Sequence, residues 1–261
     1  MTTFGISMVR DEADVIEGTI RHMAGEVDWL LVADNGSTDG TREILGQLER
    51  QLPLTVVDDP DPAYYQSAKM TALAEKAYAD GATWIVPFDA DELWVAGDRL
   101  RLILADRPDN ETVCWAALHN HLRTAVDVAD PDPFRSMVWR QRDPAPLSKV
   151  AVRWQPGAVI EQGNHGAQHP RGVVGVPALG VRHFPVRSAE QFTRKSLNGA
   201  AAYRAADLPA EMGAHWRSYG NLVDRFGVDV LAEVFREHWW YLSPTDAGLI
   251  RDPASYRRWE R

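Results

Sequence analysis

The sequence predicts an α/β fold: a mostly parallel sheet with helices on both faces, followed by a C-terminal helical segment. Three observations carry this prediction. Over the first 110 or so residues short β-type runs alternate with helical patterns; from there to about residue 185 β-type runs are joined by Pro-, Asp- and Gly-rich loops; from Ser188 the pattern turns helical.

FGISMV (4–9) reads as the first strand. In DEADVIEGTIRHMAGEV (11–27) Ile16, Ile20, Met23 and Val27 fall on one helix face, and Asp11 and Asp14 put negative charge in the first turn, where the helix dipole favours it. WLLVAD (29–34) is a second strand, and the NGSTDG turn leads into a helix over 41–52. LTVVD (54–58) is a third strand, 63–81 a third helix, and ATWIVPFD (82–89) a fourth strand. TVCWAALHNH (112–121), FRSMVWR (134–140), SKVAVRW (148–154) and ALGVRHF (178–184) read as further strands, and 188–206, 209–227 and 228–242 as helices. Ligands of such sheets bind beyond the carboxyl ends of the strands. Arg10-Asp11-Glu12, Asp34-Asn35, Asp58-Asp59 and Asp89-Ala90-Asp91-Glu92 fall at those ends and are expected along one edge.

Composition narrows the function. A net charge of −9 argues against a general nucleic-acid surface, which needs clustered Lys and Arg to displace counterions. The single cysteine, Cys114, excludes an internal disulfide and a cysteine-based zinc site, and suits a reducing cytoplasm. Neither a basic, apolar leader nor an 18-residue apolar run is present, so membrane contact is expected to be peripheral at most.

The densest chemistry lies in VPFDADELW (86–94). In an extended segment residues i and i+2 point the same way, so Asp89 and Asp91 would present their oxygens to one point. Carboxylates that close repel unless a cation lies between them, and a hard divalent ion, Mg2+ or Mn2+, is the simplest answer. Such an ion fills its remaining positions with water and substrate phosphates. The plainer alternative is a solvated loop capped by Arg99 or Arg101.

DNGSTDGT (34–41) after a strand, D-A-D-E (89–92) after the fourth strand and HFPVRSAEQFTRK (183–195) before the C-terminal helices together resemble glycosyltransferase family 2, of the Rossmann-like GT-A fold, over roughly residues 3–195. The resemblance implies a catalytic domain over 1–187, with 1–110 binding nucleotide and 111–187 on the acceptor side, and a helical segment, 188–261, packed on the same domain. It implies a nucleotide-diphosphate sugar donor, UDP by default, a D-x-D-bound Mn2+ or Mg2+, and inversion at the anomeric carbon. By position, Asp89 and Asp91 are the metal-side carboxylates, with Asp89 nearer the ribose; Asp34 meets the nucleoside; Met8 and Arg10 flank the base; and Lys69 steadies the nucleotide. The chain departs from the family at its first strand, where a common Pro is absent and Asp11-Glu12 replaces the usual Asn-Glu. The acceptor, a glycan, a lipid-linked group or a small metabolite, is not implied.

His183 stands where the GT-A fold often supplies a third metal ligand, and imidazole suits Mn2+; otherwise it is a hydrogen-bonded histidine at a strand end. Inverting transfer needs a base within reach of the attacking hydroxyl. His165, in the Gly-flanked loop QGNHGAQH, is the first candidate and Glu92 the second, with Glu161 and Asp143 also open. Glu92 has a second possible role, orienting a metal ligand or the loop. Lys149, Arg187, Arg194 and Lys195 are candidates to neutralise the leaving diphosphate, or are solvated surface cations. Within DNGSTDGT, Ser37, Thr38 or Asp39 can equally cap the next helix. FREHWWYL (235–242) offers an aromatic surface or core packing.

Rival classes fit less well. A sugar-phosphate nucleotidyltransferase would place a Gly-rich loop after the first strand, a dehydrogenase a G-x-G-x-x-G, and a D-x-D phosphatase would carry its nucleophile near the start of the domain. A nucleotide-sugar-binding scaffold without transfer activity is the alternative of a different class.

Overall fold

The computed structural model describes residues 1–127, 129–239 and 248–253. Its first half runs β1 (Thr3–Val9), α1 (Ile16–Glu26), β2 (Trp29–Asp34), α2 (Thr41–Leu48), β3 (Leu54–Asp58), α3 (Gln66–Ala79) and β4 (Trp84–Pro87). These four strands are parallel, in the order β3-β2-β1-β4. β2 shows why the apolar run WLLVAD becomes a central strand. Leu30 and Val32 face Ile20 and Met23 of α1 and Leu45 and Leu48 of α2, while Leu31 and Ala33 face Met70, Leu73, Ala74 and Ala77 of α3. A strand covered on both faces needs apolar residues at every position.

The chain continues through β5 (Glu92–Val95), α4 (Leu100–Ala105), β6 (Val113–Leu122), α5 (Pro133–Ser136), β7 (Trp139–Gln141), β8 (Lys149–Arg153), β9 (Val159–Ile160), a 3-10 turn (Gln162–Asn164), β10 (Ala167–Gln168) and β11 (Gly175–His183). Helices α6 (Ala189–Ala205), α7 (Ala214–Phe226) and α8 (Val230–Trp239) follow, and β12 (Leu249–Arg251) adds a strand within the segment read as helical. The sheet extends from β4 through β8, β6 and β7 to β12, while β11 pairs parallel to β6 and antiparallel to β5, making the whole sheet mixed. Among the described residues no helix is long and apolar enough to cross a membrane.

Two expectations are corrected. Residues 134–140, read as one strand, divide into α5 and β7, because Asp132 caps a helical turn that has Pro133 at its first position. Helix α1 begins at Ile16 and not at Asp11: Asp11 has φ +54°, and its carboxylate accepts from the Thr38 amide at 2.7 Å. Asp11 and Asp14 therefore precede the helix, and Glu17 occupies its first turn. Strand β5 and helix α4 went unread because each is too short to show a period. In FREHWWYL, Trp240, Tyr241 and Leu242 lie outside the described residues.

Ile20 is fully enclosed between α1 and the sheet. Ile20→Ala should cost about 2–5 kcal/mol of unfolding free energy in urea denaturation, the range for truncating a buried aliphatic side chain; a loss below 1 kcal/mol would mean that this layer is loosely packed.

Candidate active site

Parallel register sets the position of the site. Val9 lies opposite Asp34, Asp34 opposite Asp58, and Ile6 opposite Pro87, so the four polar clusters do share one sheet edge. The DNGSTDGT block clamps residues 11–13 there. Ser37 Oγ accepts from the Asp11 amide (3.0 Å), Thr41 Oγ1 from the Glu12 amide (2.8 Å), and Asp39 Oδ2 from the Ala13 amide (3.1 Å). Asp34 Oδ2 accepts from the Ser37 amide at 3.2 Å, while its Oδ1 is buried without a hydrogen-bond partner among the described residues. Among the other nucleoside-side candidates, Met8 packs against the α3-side core, Arg10 lies half-buried at the edge with its Nε 3.9 Å from Asp11, and Lys69 is bound to Asp59 (2.7 Å) and to the Asp61 carbonyl.

The D-x-D segment is a turn and not an extended run. The Glu92 amide donates to the Asp89 carbonyl at 3.1 Å, which turns the chain between β4 and β5. The expected convergence of Asp89 and Asp91 through extended geometry is thus corrected, and the two carboxylates have separate partners. Asp89, partly exposed, accepts from Lys149 Nζ (2.6 Å) and Asn164 Nδ2 (3.0 Å). Glu92 is entirely enclosed; its Oε1 lies 2.7 Å from Lys149 Nζ and its Oε2 accepts from the Asp89 amide. Burial pushes the Glu92 carboxyl up to about 7 against the pull of Lys149. Lys149 also donates to the Gly163 carbonyl (2.8 Å); burial opposes its charge, yet Asp89 and Glu92 hold its pKa above the usual lysine value. Glu92 and Lys149 therefore stand behind the site, where they brace Asp89 and the 161–166 loop.

Asp91 is buried among cations. Its Oδ2 accepts from Lys195 Nζ (2.5 Å) with Arg187 Nη1 at 3.6 Å, and its Oδ1 faces His183 Nε2 at 3.7 Å. Burial alone would raise this carboxyl, but the charges of Lys195 and Arg187 outweigh it and hold it below the usual carboxylate range. Arg187 is itself saturated by Glu12, Asp14 (2.6 Å) and the Phe184 carbonyl (3.0 Å). Lys195 lies 3.7 Å from Glu12 as well. Arg194 reaches Asp39 at 3.7 Å and the Asp11 carbonyl at 3.3 Å.

His183 closes this group from the end of β11. Asn120 Nδ2 donates to Gln141 (3.1 Å), which fixes the amide so that Asn120 Oδ1 accepts from His183 Nδ1 at 2.8 Å. The ring proton is then on Nδ1 and the Nε2 lone pair points toward Asp91. Burial pushes this imidazole down to about 4, so it is neutral at pH 7. Two acceptors that face each other without a proton between them fit a divalent cation, and the two-ligand donor set leaves its other positions to water and phosphate. Among the described residues no group of three or more His, Cys, Asp or Glu converges on one point.

His165 sits in the loop after the 3-10 turn. Its Nδ1 donates to the Ser148 carbonyl (2.9 Å), which leaves Nε2 as the basic nitrogen, and burial lowers its pKa. The ring lies against Gly163, where a Cβ would come within 2.4 Å of it. Glu161 and Asp143 are exposed. Sequence reasoning missed Asn164, Asn120 and the Glu12 and Asp14 pairing with Arg187. A helpful signal existed only for Asn164, which sits between Gly163 and His165 at φ +59°, a conformation Asn tolerates better than most residues.

Residues 6–134 match the family model described as glycosyl transferase family 2. No curated protein sequence matches the chain significantly. Similar solved structures include S. aureus TarS, at 12% identity over 87% of this chain and 44% of that one (TM-score 0.42). Another is S. aureus TarS 1-349 in complex with UDP-GlcNAc, at 12% identity over 95% and 78% (TM-score 0.41). A third is GalNAc-T7 with UDP, GalNAc and Mn2+, at 12% identity over 92% and 58% (TM-score 0.39). The chain thus spans less than half the length of the full TarS chain.

Two outcomes test the electrostatics. Arg187→Met should cost about 3–5 kcal/mol at pH 7, because it strands buried carboxylates; the loss should shrink as pH falls and those groups protonate. An equal loss at pH 7 and pH 4.5 in urea melts would contradict the charge argument. Glu92 holds its proton more tightly folded than unfolded, so ionising it costs stability as pH rises from about 4.5 through 7. Glu92→Gln should remove that decline, and parallel stability curves for the two proteins would refute it.

Proposed function

On the premise that residues 6–134 make this chain a glycosyltransferase of the family 2 type, we propose that it moves a sugar from a nucleotide-diphosphate donor to an acceptor nucleophile with inversion at the anomeric carbon. The observation that carries the metal-dependent form of this reading is the neutral His183 Nε2 facing Asp91 Oδ1 at the edge where the strands end. Asp91 and His183 would hold Mn2+ or Mg2+, which supplies Lewis-acid stabilisation of the departing diphosphate when bound. Asp34, with a buried oxygen that has no partner among the described residues, is suited to a donor group on the nucleoside, with Met8, Arg10 and Lys69 beside it. Asp89 stays partly exposed and braced by Lys149 and Asn164, suited to a ribose hydroxyl.

His165 is the proposed base. The acceptor oxygen attacks the anomeric carbon, its proton passes to Nε2 of His165, and the bond to the diphosphate oxygen breaks. The Ser148 carbonyl holds the required tautomer. A cavity of about 750 Å3 next to this loop, lined in part by Ser67, Thr71, Val159, Gln162, Leu208 and Met212, is of the size that takes small ligands and is the proposed entrance for acceptor. Its mixed, largely apolar wall favours an acceptor with both a hydroxyl and an apolar face.

Thermal unfolding with UDP, GDP, CDP or dTDP, each with and without Mn2+, tests the donor. One nucleotide at about 100 times its dissociation constant should raise stability by roughly 2.7 kcal/mol, a shift of several degrees, in a Mn2+-dependent way. Asp91→Asn should abolish the shift, and no shift with any nucleotide would sink the reading. His165→Ala should lower kcat by about 10²–10⁴-fold with KM for donor nearly unchanged; equal losses in both would make it a binding residue only.

A further inference from the structure

The three cations that meet Asp89, Asp91 and Glu92 are not equivalent. Arg187 is 1% exposed and fully engaged by Glu12, Asp14 and the Phe184 carbonyl, and Lys149 is 3% exposed and held by Asp89, Glu92 and the Gly163 carbonyl. Neither can leave its place without stranding a buried charge. Lys195 differs. Its side chain is 29% exposed, it comes from α6 on a four-carbon stem, and its contacts here are Asp91 Oδ2 and, more distantly, Glu12. Of the three it is the most exposed and has the fewest partners.

Its position also divides Asp91 into two halves. Lys195 occupies Oδ2, while Oδ1 is directed at His183 Nε2. A free divalent ion entering between Oδ1 and Nε2 would meet a carboxylate already neutralised and an ammonium one carboxylate-width away. An ion that arrives with a diphosphate brings the negative charge that draws the ammonium off Oδ2.

We propose that Lys195 is a placeholder cation: it competes with free divalent metal for Asp91 and transfers its ammonium to the diphosphate when metal and nucleotide bind together. The inference rests on the donor-site reading and adds an order to it, because metal uptake becomes conditional on nucleotide. It makes Lys195 a binding residue with opposite effects on two ligands. A merely structural lysine would affect both in the same direction.

Lys195→Gln keeps the length and removes the charge. The affinity for Mn2+ alone, followed by the electron paramagnetic resonance signal of free Mn2+, should rise at least tenfold in this variant. The affinity for the nucleotide diphosphate that shifts the wild type, measured calorimetrically at saturating Mn2+, should fall at least tenfold. Lys195→Arg should restore both toward wild type. In the wild type, the same nucleotide should tighten Mn2+ binding at least tenfold, a measurement that needs no variant to fold. If Lys195→Gln weakens both ligands together, or leaves Mn2+ affinity unchanged, the placeholder is wrong while the donor site stands. A wild type that binds none of the four nucleotide diphosphates with Mn2+ overturns the donor-site reading and this inference with it.

Discussion

A carboxylate without access to water must be met by positive charge, and Asp91 is such a group at the mouth of the sheet. The arrangement around it follows from that need. Arg187 answers Asp91 from one side while it holds Glu12 and Asp14, residues 173 to 175 positions away in the chain. Lys195 answers from α6. In meeting the charge, the fold ties its first loop, the turn after β4, the end of β11 and the first C-terminal helix together at one point. The sheet gives the site its location, and the ion cluster gives it its shape.

The same logic separates the two aspartates. The turn at 89–92 sends Asp89 toward the 161–166 loop, where Lys149 and Asn164 receive it, and leaves Asp91 to the His183 side. Glu92, next in sequence, is the anchor of this division. It neutralises part of Lys149 and accepts the Asp89 amide, so the turn is pinned from beneath. Neighbours in the sequence thus take three roles: an edge group, an enclosed acid near a histidine, and an internal brace.

Legibility from the sequence followed the range of the interactions. β2 was readable to the residue because an apolar run enclosed by two helical layers leaves little freedom. The edge that gathers Asp34, Asp58 and Asp91 was readable because parallel register is a consequence of alternation. The conformation of Asp11 was not, since it depends on Thr38 and on Asn198, which donates to Asp11 from α6. Nor was the assignment of Lys149 and Glu92 to the interior, because a lysine and a glutamate in sequence look like surface residues until their partners are known. The tautomer of His183 required Asn120 and Gln141 together, a chain of two hydrogen bonds between strands.

The distance along the chain between Glu12 and Lys195 has a temporal meaning. Chains emerge from the ribosome N-terminus first, and domains fold as their residues become available. The four parallel strands are complete by Pro87, yet the cations that answer Glu12, Asp91 and Glu92 arrive with Lys149, Arg187 and Lys195. During synthesis the acidic residues of the sheet edge are therefore made before the cations that meet them. The ion cluster is complete only once the chain has been made as far as Lys195, 183 residues after Glu12.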